Sequence, residues 1–306
     1  MRIPIGSGFP ALGKLGIWGL FSHLNADAFA ALARSSEAWG YGTLWLPEAF
    51  GRDLLVASSF ALASTQRLCV ATGIANIYAR DSVASVNAQY GLAEQSNGRF
   101  LLGLGVSHQA FVEQVRGHRY QKPLAAMRTY LQAMAQVQYM GAPPADKPKT
   151  VLAALGPQML RLAAELADGA HTYNVNPDHT AMARAILGPQ KLLCPEQKVL
   201  LETDPATARS IGRRVLSYSL PLPNYRNSFL RMGFGDDDLQ GGGSDKLIDS
   251  IIAWGDEDTI RARIQEHWDA GADHVCIQSL PHEGMALGPE DRRLFELLAP
   301  ATARPS

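Results

Sequence analysis

The chain has 306 residues, 46% of them hydrophobic and 19% charged, with a formal net charge of −1. That balance allows a large buried core and excludes global disorder, and the absence of a Lys/Arg run argues against nucleic acid as a partner. No apolar stretch approaches the ~18 residues of a membrane span, so a membrane partner is not expected.

Residues 1–8 hold no hydrophobic leader core, and Cys69, Cys194 and Cys276 are odd in number and far apart. Cys69 and Cys276 sit in apolar, strand-like runs, which reads as buried reduced thiols in a cytoplasmic protein.

Short apolar runs alternate with amphipathic segments along the whole chain. Residues 15–18 form a first strand, and a helix from near Asn25 puts Phe29, Leu32 and Ala33 on one face and stops at Trp39-Gly40. Strands two and three are expected at 43–46 and 68–74. The fourth, at 100–105, leaves a Gly98-Arg99 turn and ends in the paired glycines Gly103 and Gly105, followed by the small and polar Val106-Ser107-His108.

A stiff proline-rich linker over 142–148 precedes strand five at 150–153. Pro157 then opens a helix with Met159, Leu162, Ala163 and Leu166 at helical spacing. Strands six and seven are expected at 170–173 and 198–201, and Asp204-Pro205 reads as a cap with a first-turn proline. Residues 224–254 are too long for a simple connection and contain a glycine-rich loop that ends in a helix cap near Ser244-Asp245. Asp256 caps a late helix with Ile260, Ile264 and Trp268 in a stripe, and strand eight follows at 274–278.

Near-continuous apolar strands, each followed by a helix, point to parallel pairing buried on both faces. The fold expected is α/β, a (β/α)8 TIM barrel in a single domain over 1–306, with an insertion at about 224–254 between strands seven and eight.

In such a barrel the chemistry lies on the loops after the strands. Those positions hold Glu48, Gly73-Ile74-Ala75-Asn76, Val106-Ser107-His108, Ala154-Leu155-Gly156-Pro157 and Tyr173-Asn174. Most are small or apolar, which suits the face of a flat, largely hydrophobic ring. Gly103-Leu104-Gly105-Val106-Ser107-His108 supplies two glycines of a dinucleotide fingerprint but neither the third nor the acidic residue about 20 positions on. The turn over 153–158 leaves N–H groups unpaired at a helix start, which suits a phosphate, although any βα turn can begin a helix with Gly-Pro.

No HExxH, no zinc-spaced Cys/His cluster and no GxSxG elbow is present, so neither a metal site nor a Ser-His-Asp site is expected. His171 reads as an inward-pointing core histidine, and the acidic run 236–238 as a solvated face.

Four motifs in order carry a family likeness: Ala93-Glu94-Gln95-Ser96 running into residues 98–107; Ala71-Thr72-Gly73-Ile74-Ala75-Asn76 with Arg80; Leu162-Ala163-Ala164 running into Ala167-Asp168-Gly169; and Ala270-Gly271-Ala272-Asp273-His274-Val275. Together they resemble the bacterial-luciferase-like superfamily, in its coenzyme F420-dependent branch. The resemblance implies a cis Gly73–Ile74 peptide behind the cofactor ring, with Thr72, Ala75, Asn76, Val106 and Ser107 beside it. Ala154-Leu155-Gly156-Pro157 matches the family's Ala-Gly-Gly-Pro turn, with Leu155 departing from glycine. Glu48 stands where the family places Asp.

Two further departures separate this chain from the family's sugar-phosphate dehydrogenase. Ala49 follows Glu48 where that enzyme has a catalytic His, and His108 stands where it has a catalytic Glu, so its substrate is not carried over. The resemblance implies an oxidoreductase that moves a hydride between F420 and a small organic substrate. His108 would be the acid/base, and Glu48 would bond the ring's polar edge or tune His108. His108 also reads as a plain loop histidine bonded to a neighbouring carbonyl. Trp18, Tyr173, Asn174 and the insertion are expected on the substrate side, and the superfamily implies a homodimer. The alternatives are an FMN-dependent monooxygenase using O2 and a partner reductase, and a non-catalytic flavin-binding barrel.

Overall fold

The computed structural model describes residues 12–284 and 288–300, so the N-terminal segment read for a leader lies outside the described residues. The strands are β1 (Leu15–Trp18), β2 (Thr43–Leu46), β3 (Cys69–Thr72), β4 (Ala75–Asn76), β5 (Phe100–Gly105), β6 (Thr150–Ala153), β7 (Gly169–Thr172), β8 (Leu192–Leu201), β9 (Ile252–Gly255) and β10 (Val275–Ser279). They pair in the order β10-β1-β2-β3-β5-β6-β7-β8, and a β10–β8 ladder closes the circle into an eight-stranded parallel barrel.

The helices are α1 (Ala26–Ala38), α2 (Leu54–Ala63), α3 (Ser82–Gln95), α4 (Pro123–Ala135), α5 (Pro157–Leu166), α6 (Pro177–Leu187), α7 (Pro205–Leu216), α8 (Pro223–Arg231), α9 (Asp245–Ile251), α10 (Glu257–Asp269) and α11 (Pro289–Leu297). Asn25, Asp204, Ser244 and Asp256 each cap a helix by accepting a backbone N–H, as their positions in the sequence predict.

Burial on both faces explains the apolar strands: every residue of β1, β2, β3, β5 and β7 is buried. Trp18, Trp45, Leu101, Val151 and the three cysteines pack together as one buried cluster, and the cysteines are free thiols. A second cluster joins the strands to the surrounding helices, and a third joins α7, α8 and α9 to the ends of β8 and β9.

Four boundaries differ from the sequence reading. The third strand breaks into β3 and β4 around residues 73 and 74, and β7 and β10 are each displaced by one residue. The seventh strand starts at Leu192 rather than 198, because Pro195-Glu196-Gln197 lie inside it although they interrupt the apolar pattern. The long connection folds as α8, a short 3-10 turn, α9 and β9, and β9 pairs with Lys198–Leu201 of β8.

Aromatic rings cross the barrel interior. His171 stacks on Trp45 at 4.5 Å between centroids, and the Trp45 indole N–H donates to His274 Nε2 at 2.9 Å. Burial pushes His171 and His274 down to about 4 and His267 down to about 3. The ordinary histidine value is 6.5, so between these values the unfolded chain holds more protons than the folded one. The stability these neutral rings contribute is complete above about pH 6.5 and is lost as the pH falls through about 4, at up to about 1.4 kcal/mol per pH unit for each ring. Urea unfolding at pH 7, 5.5 and 4.5 should show a falling free energy of unfolding; a level profile would contradict the neutral, buried rings.

Candidate active site

The mouth of the barrel is shaped by one irregularity. β3 pairs with β5 at Val70–Phe100, and pairing resumes at Ala75–Leu104, so five steps on one strand face four on the other. The extra residue is absorbed at Gly73–Ile74, whose peptide is cis. Thr72 Oγ1 donates to the Gly103 carbonyl and accepts from the Gly103 N–H, both at 2.7 Å.

The bulge is also held from its neighbours. The Trp18 indole N–H donates to the Gly73 carbonyl at 2.9 Å, and the Glu48 N–H donates to the Ile74 carbonyl at 3.2 Å. This arrangement accounts for the paired glycines. A Cβ on Gly103 would sit 2.0 Å from the Thr72 carbonyl oxygen, and one on Gly105 would sit 2.4 Å from Ile74 Cδ1. They are glycines because the bulge packs against them.

Above the bulge opens a cavity of about 650 Å³. Of the residues expected at the site, Trp18, Glu48, Gly73, Ile74, Val106, Ser107, His108, Ala154, Leu155, Gly156 and Tyr173 line it. Thr72, Ala75, Asn76, Pro157 and Asn174 do not. Thr72 is spent on Gly103, and Ala75 and Asn76 are buried in β4. Pro157 is the first residue of α5, and the buried Asn174 gives its amide to Ser219 Oγ at 3.0 Å. Those five support the lining from behind.

Glu48 has a different setting from the one expected. Its carboxylate takes both Arg80 nitrogens, at 2.7 and 3.0 Å, and the Asn76 N–H at 2.6 Å, with Arg116 at 3.9 Å. The side chains of Glu48 and Arg80 are only 7% and 13% exposed. This carboxylate clamps the bulge to the β2 end, and among the described residues it has no bond to His108.

His108 instead meets α8. Its ring centroid lies 5.6 Å from Tyr225, Tyr225 lies 5.9 Å from Tyr173, and Tyr173 lies 5.1 Å from Trp18, so four rings form an arc along one wall. Burial holds His108 below its ordinary value, and the Asn224 side chain opposes that shift.

Behind Tyr173 lies a buried ion pair, Lys198 Nζ to Glu196 Oε1 at 3.1 Å, with Nζ 3.8 Å from the centre of the Tyr173 ring. Burial pushes Glu196 up and Lys198 down, and each opposes the other's shift. Sequence reasoning missed this pair because it assigned residues 192–197 to no strand, and of α8 it named Asn224 alone, as the start of the insertion. The only signal for α8 was the unexplained length of the connection.

His171 lines the cavity with its Nδ1 placed 2.8 Å from the Cys194 carbonyl. A carbonyl only accepts, so Nδ1 carries the proton. Nε2 is then a buried acceptor without a partner.

At the opposite end, α5 starts at Gly156 with no side-chain cap, leaving first-turn N–H groups free. A Cβ on Gly156 would lie 3.4 Å from an Arg231 nitrogen, which places this guanidinium beside that helix start. Burial lowers Arg231, and among the described residues no carboxylate pairs with it. Free amides and an unpaired cation together suit an anionic group. The whole lining fits a flat apolar ring with an anionic tail and a histidine at its edge. Among the described residues, no group of three or more His, Cys, Asp or Glu side chains could hold a metal ion, and no helix is long and apolar enough to cross a membrane.

The pattern of the luciferase-like monooxygenase family matches residues 14–187. The chain is 32% identical over 186 residues to a protein of Mycobacterium tuberculosis named as a coenzyme F420-dependent oxidoreductase, covering 51% of this chain and 53% of that one. It is 24% identical over 313 residues to the 5,10-methylenetetrahydromethanopterin reductase of Methanolobus tindarius, covering 88% and 93% of the two chains. In fold it resembles the FMN-bound oxygenating constituent of 3,6-diketocamphane monooxygenase of Pseudomonas putida, with a TM-score of 0.69, 14% identity and coverage of 95% and 97%.

Glu48→Gln keeps the shape of the clamp and removes its charge. It should lower the free energy of unfolding by about 1–3 kcal/mol, as should Arg80→Ala, with the double variant losing less than the sum. Additive losses in urea unfolding would show that the two side chains act separately.

Proposed function

Because this chain belongs to the luciferase-like monooxygenase family, we propose that it is an F420-dependent oxidoreductase acting on a small organic substrate at the barrel mouth. The observation that carries this reading is the cavity itself: an apolar floor at Ile74 and Val106, an anion cradle at Gly156 and Arg231, and His108 on its wall. Similarity to a protein named as F420-dependent supports the deazaflavin over other rings. When bound, the deazaflavin supplies the carbon that gives or takes a hydride.

The chain's own residues do the rest. Ile74, fixed by the bulge and by Gly105, backs the ring, and the free amides of α5 with Arg231 hold the anionic tail. His108, held neutral near pH 7 by burial, takes a proton at a ring nitrogen from a substrate O–H as the hydride leaves. In the reverse direction it returns that proton. Tyr173, Tyr225 and Leu222 bound the substrate and exclude water. Glu48 stays out of the proton transfer, since its oxygens are occupied by Arg80 and the Asn76 N–H.

A homodimer belongs to the same reading. α2 is apolar nearly all round, yet Val56 is 62% and Phe60 37% exposed, and a helix of that composition calls for a cover on every face. Three free, buried thiols suit the cytoplasm.

Titration of the purified protein with F420 and FMN side by side tests the cofactor. F420 alone should bind; binding of FMN alone would move the reading to a monooxygenase with a separate reductase, and binding of neither would leave a barrel without this chemistry. His108→Ala should keep cofactor binding and cut turnover by about 10²-fold or more. Arg231→Ala should weaken F420 binding by about tenfold, and unchanged affinity would take the anionic tail away from α5.

A further inference from the structure

The wall that faces His108 belongs to α8, outside the stretch that the family pattern matches. Asn224 is the second residue of this helix, after Pro223, and the helix start at Leu222 has no side-chain cap. An asparagine two positions earlier, at the N-cap, would spend its side chain on capping its own helix. From the second position the amide is free to reach across the cavity, where Asn224, Tyr225 and His108 all line the same surface.

We propose that Asn224 is the positioning residue for His108: its side-chain oxygen accepts the N–H of the His108 ring while its NH2 donates to the Tyr225 hydroxyl, so that the other ring nitrogen of His108 faces the cavity. This rests on the acid/base role proposed for His108, although the hydrogen bonds do not depend on it.

The geometry supplies the frame, with the His108 and Tyr225 rings 5.6 Å apart and the amide belonging to Tyr225's own neighbour. The directions of two shifts agree with this pairing. Burial lowers His108 and Asn224 raises it, which is the effect of an acceptor on the ring N–H. Burial and Glu196 raise Tyr225 and Asn224 lowers it, which is the effect of a donor on the phenol oxygen. One amide can serve both partners, since its oxygen accepts and its NH2 group donates.

Other titratable or charged groups border this part of the molecule: Glu48 with Arg80 and Arg116 around it, Glu113 bonded to Gln109 and Tyr120, and Tyr120, Tyr173, Tyr218 and Arg231 on the lining. Burial and Asn224 are nevertheless the two influences on His108. The consequence is a histidine whose tautomer and ring angle are set from the insertion and not from the barrel.

The test is the His108 titration followed by NMR in the cofactor-free protein, with His108→Ala identifying the resonance. Asn224 is exposed, so its variants should fold. Asn224→Ala should lower the midpoint by roughly half a pH unit, and Asn224→Asp, which puts a carboxylate in the same place, should raise it by roughly a unit. In the loaded enzyme Asn224→Ala should lower kcat by about tenfold with KM for the cofactor unchanged, and should move the acidic limb of the pH profile with the NMR midpoint. Wild-type midpoints in both variants would overturn the proposal. Failure of F420 to bind would remove the proposed function and leave the titration result standing, so the two can be told apart.

Discussion

One hydroxyl group ties the β3 and β5 ends together. Thr72 Oγ1 holds both the N–H and the carbonyl of Gly103, and this fastens the two strands at the point where their pairing loses register by one residue. Below it the ladder is regular; above it the chain must bulge, and the bulge carries Ile74 over Gly105 and offers its carbonyls to Trp18 and Glu48. The place of Ile74 on the cavity lining follows from this arrangement. Mobility here would blur the floor of the cavity, and the Glu48–Arg80 pair adds an electrostatic tie across the same joint.

Much of this was readable in the sequence because a parallel barrel writes its strands as apolar runs. β1, β2, β5 and β6 fall where the pattern places them, and the rule that chemistry sits after strand ends led directly to Ile74, His108 and Gly156. The failures have physical causes. In β8, Pro195, Glu196 and Gln197 break the apolar signal, yet they are buried, because Lys198 compensates Glu196 and Gln197 is hydrogen-bonded to His267. Polar residues satisfied in pairs inside the core leave no periodic trace. Glu48 was readable as a site residue but its partner was not, since Arg80 reaches it through tertiary folding alone. Asn224 meets His108 from a separate helix, and nothing in either local segment announces the other.

Charge is handled sparingly at the mouth. Glu48 is compensated, Glu196 and Lys198 cancel behind the Tyr173 ring, and His171 is neutral with one nitrogen bonded. Among the described residues Arg231 is left without a compensating carboxylate, and it stands beside the positive end of α5. Such a cavity selects its occupant by where negative charge is carried, while the apolar floor selects for flatness. The buried ion pair costs desolvation that its own attraction largely offsets, so its value lies in holding the Tyr173 ring in one place.

The lining comes from two separate lengths of chain. Residues up to 187 supply the floor, the bulge and the start of α5, within the stretch that is common to the family. Tyr218, Leu222, Tyr225 and Arg231 come from beyond it. Such a division lets evolution rewrite one wall while conserving the other. A lineage that altered the segment after β8 would change what enters the cavity and how it is oriented without rebuilding the bed beneath.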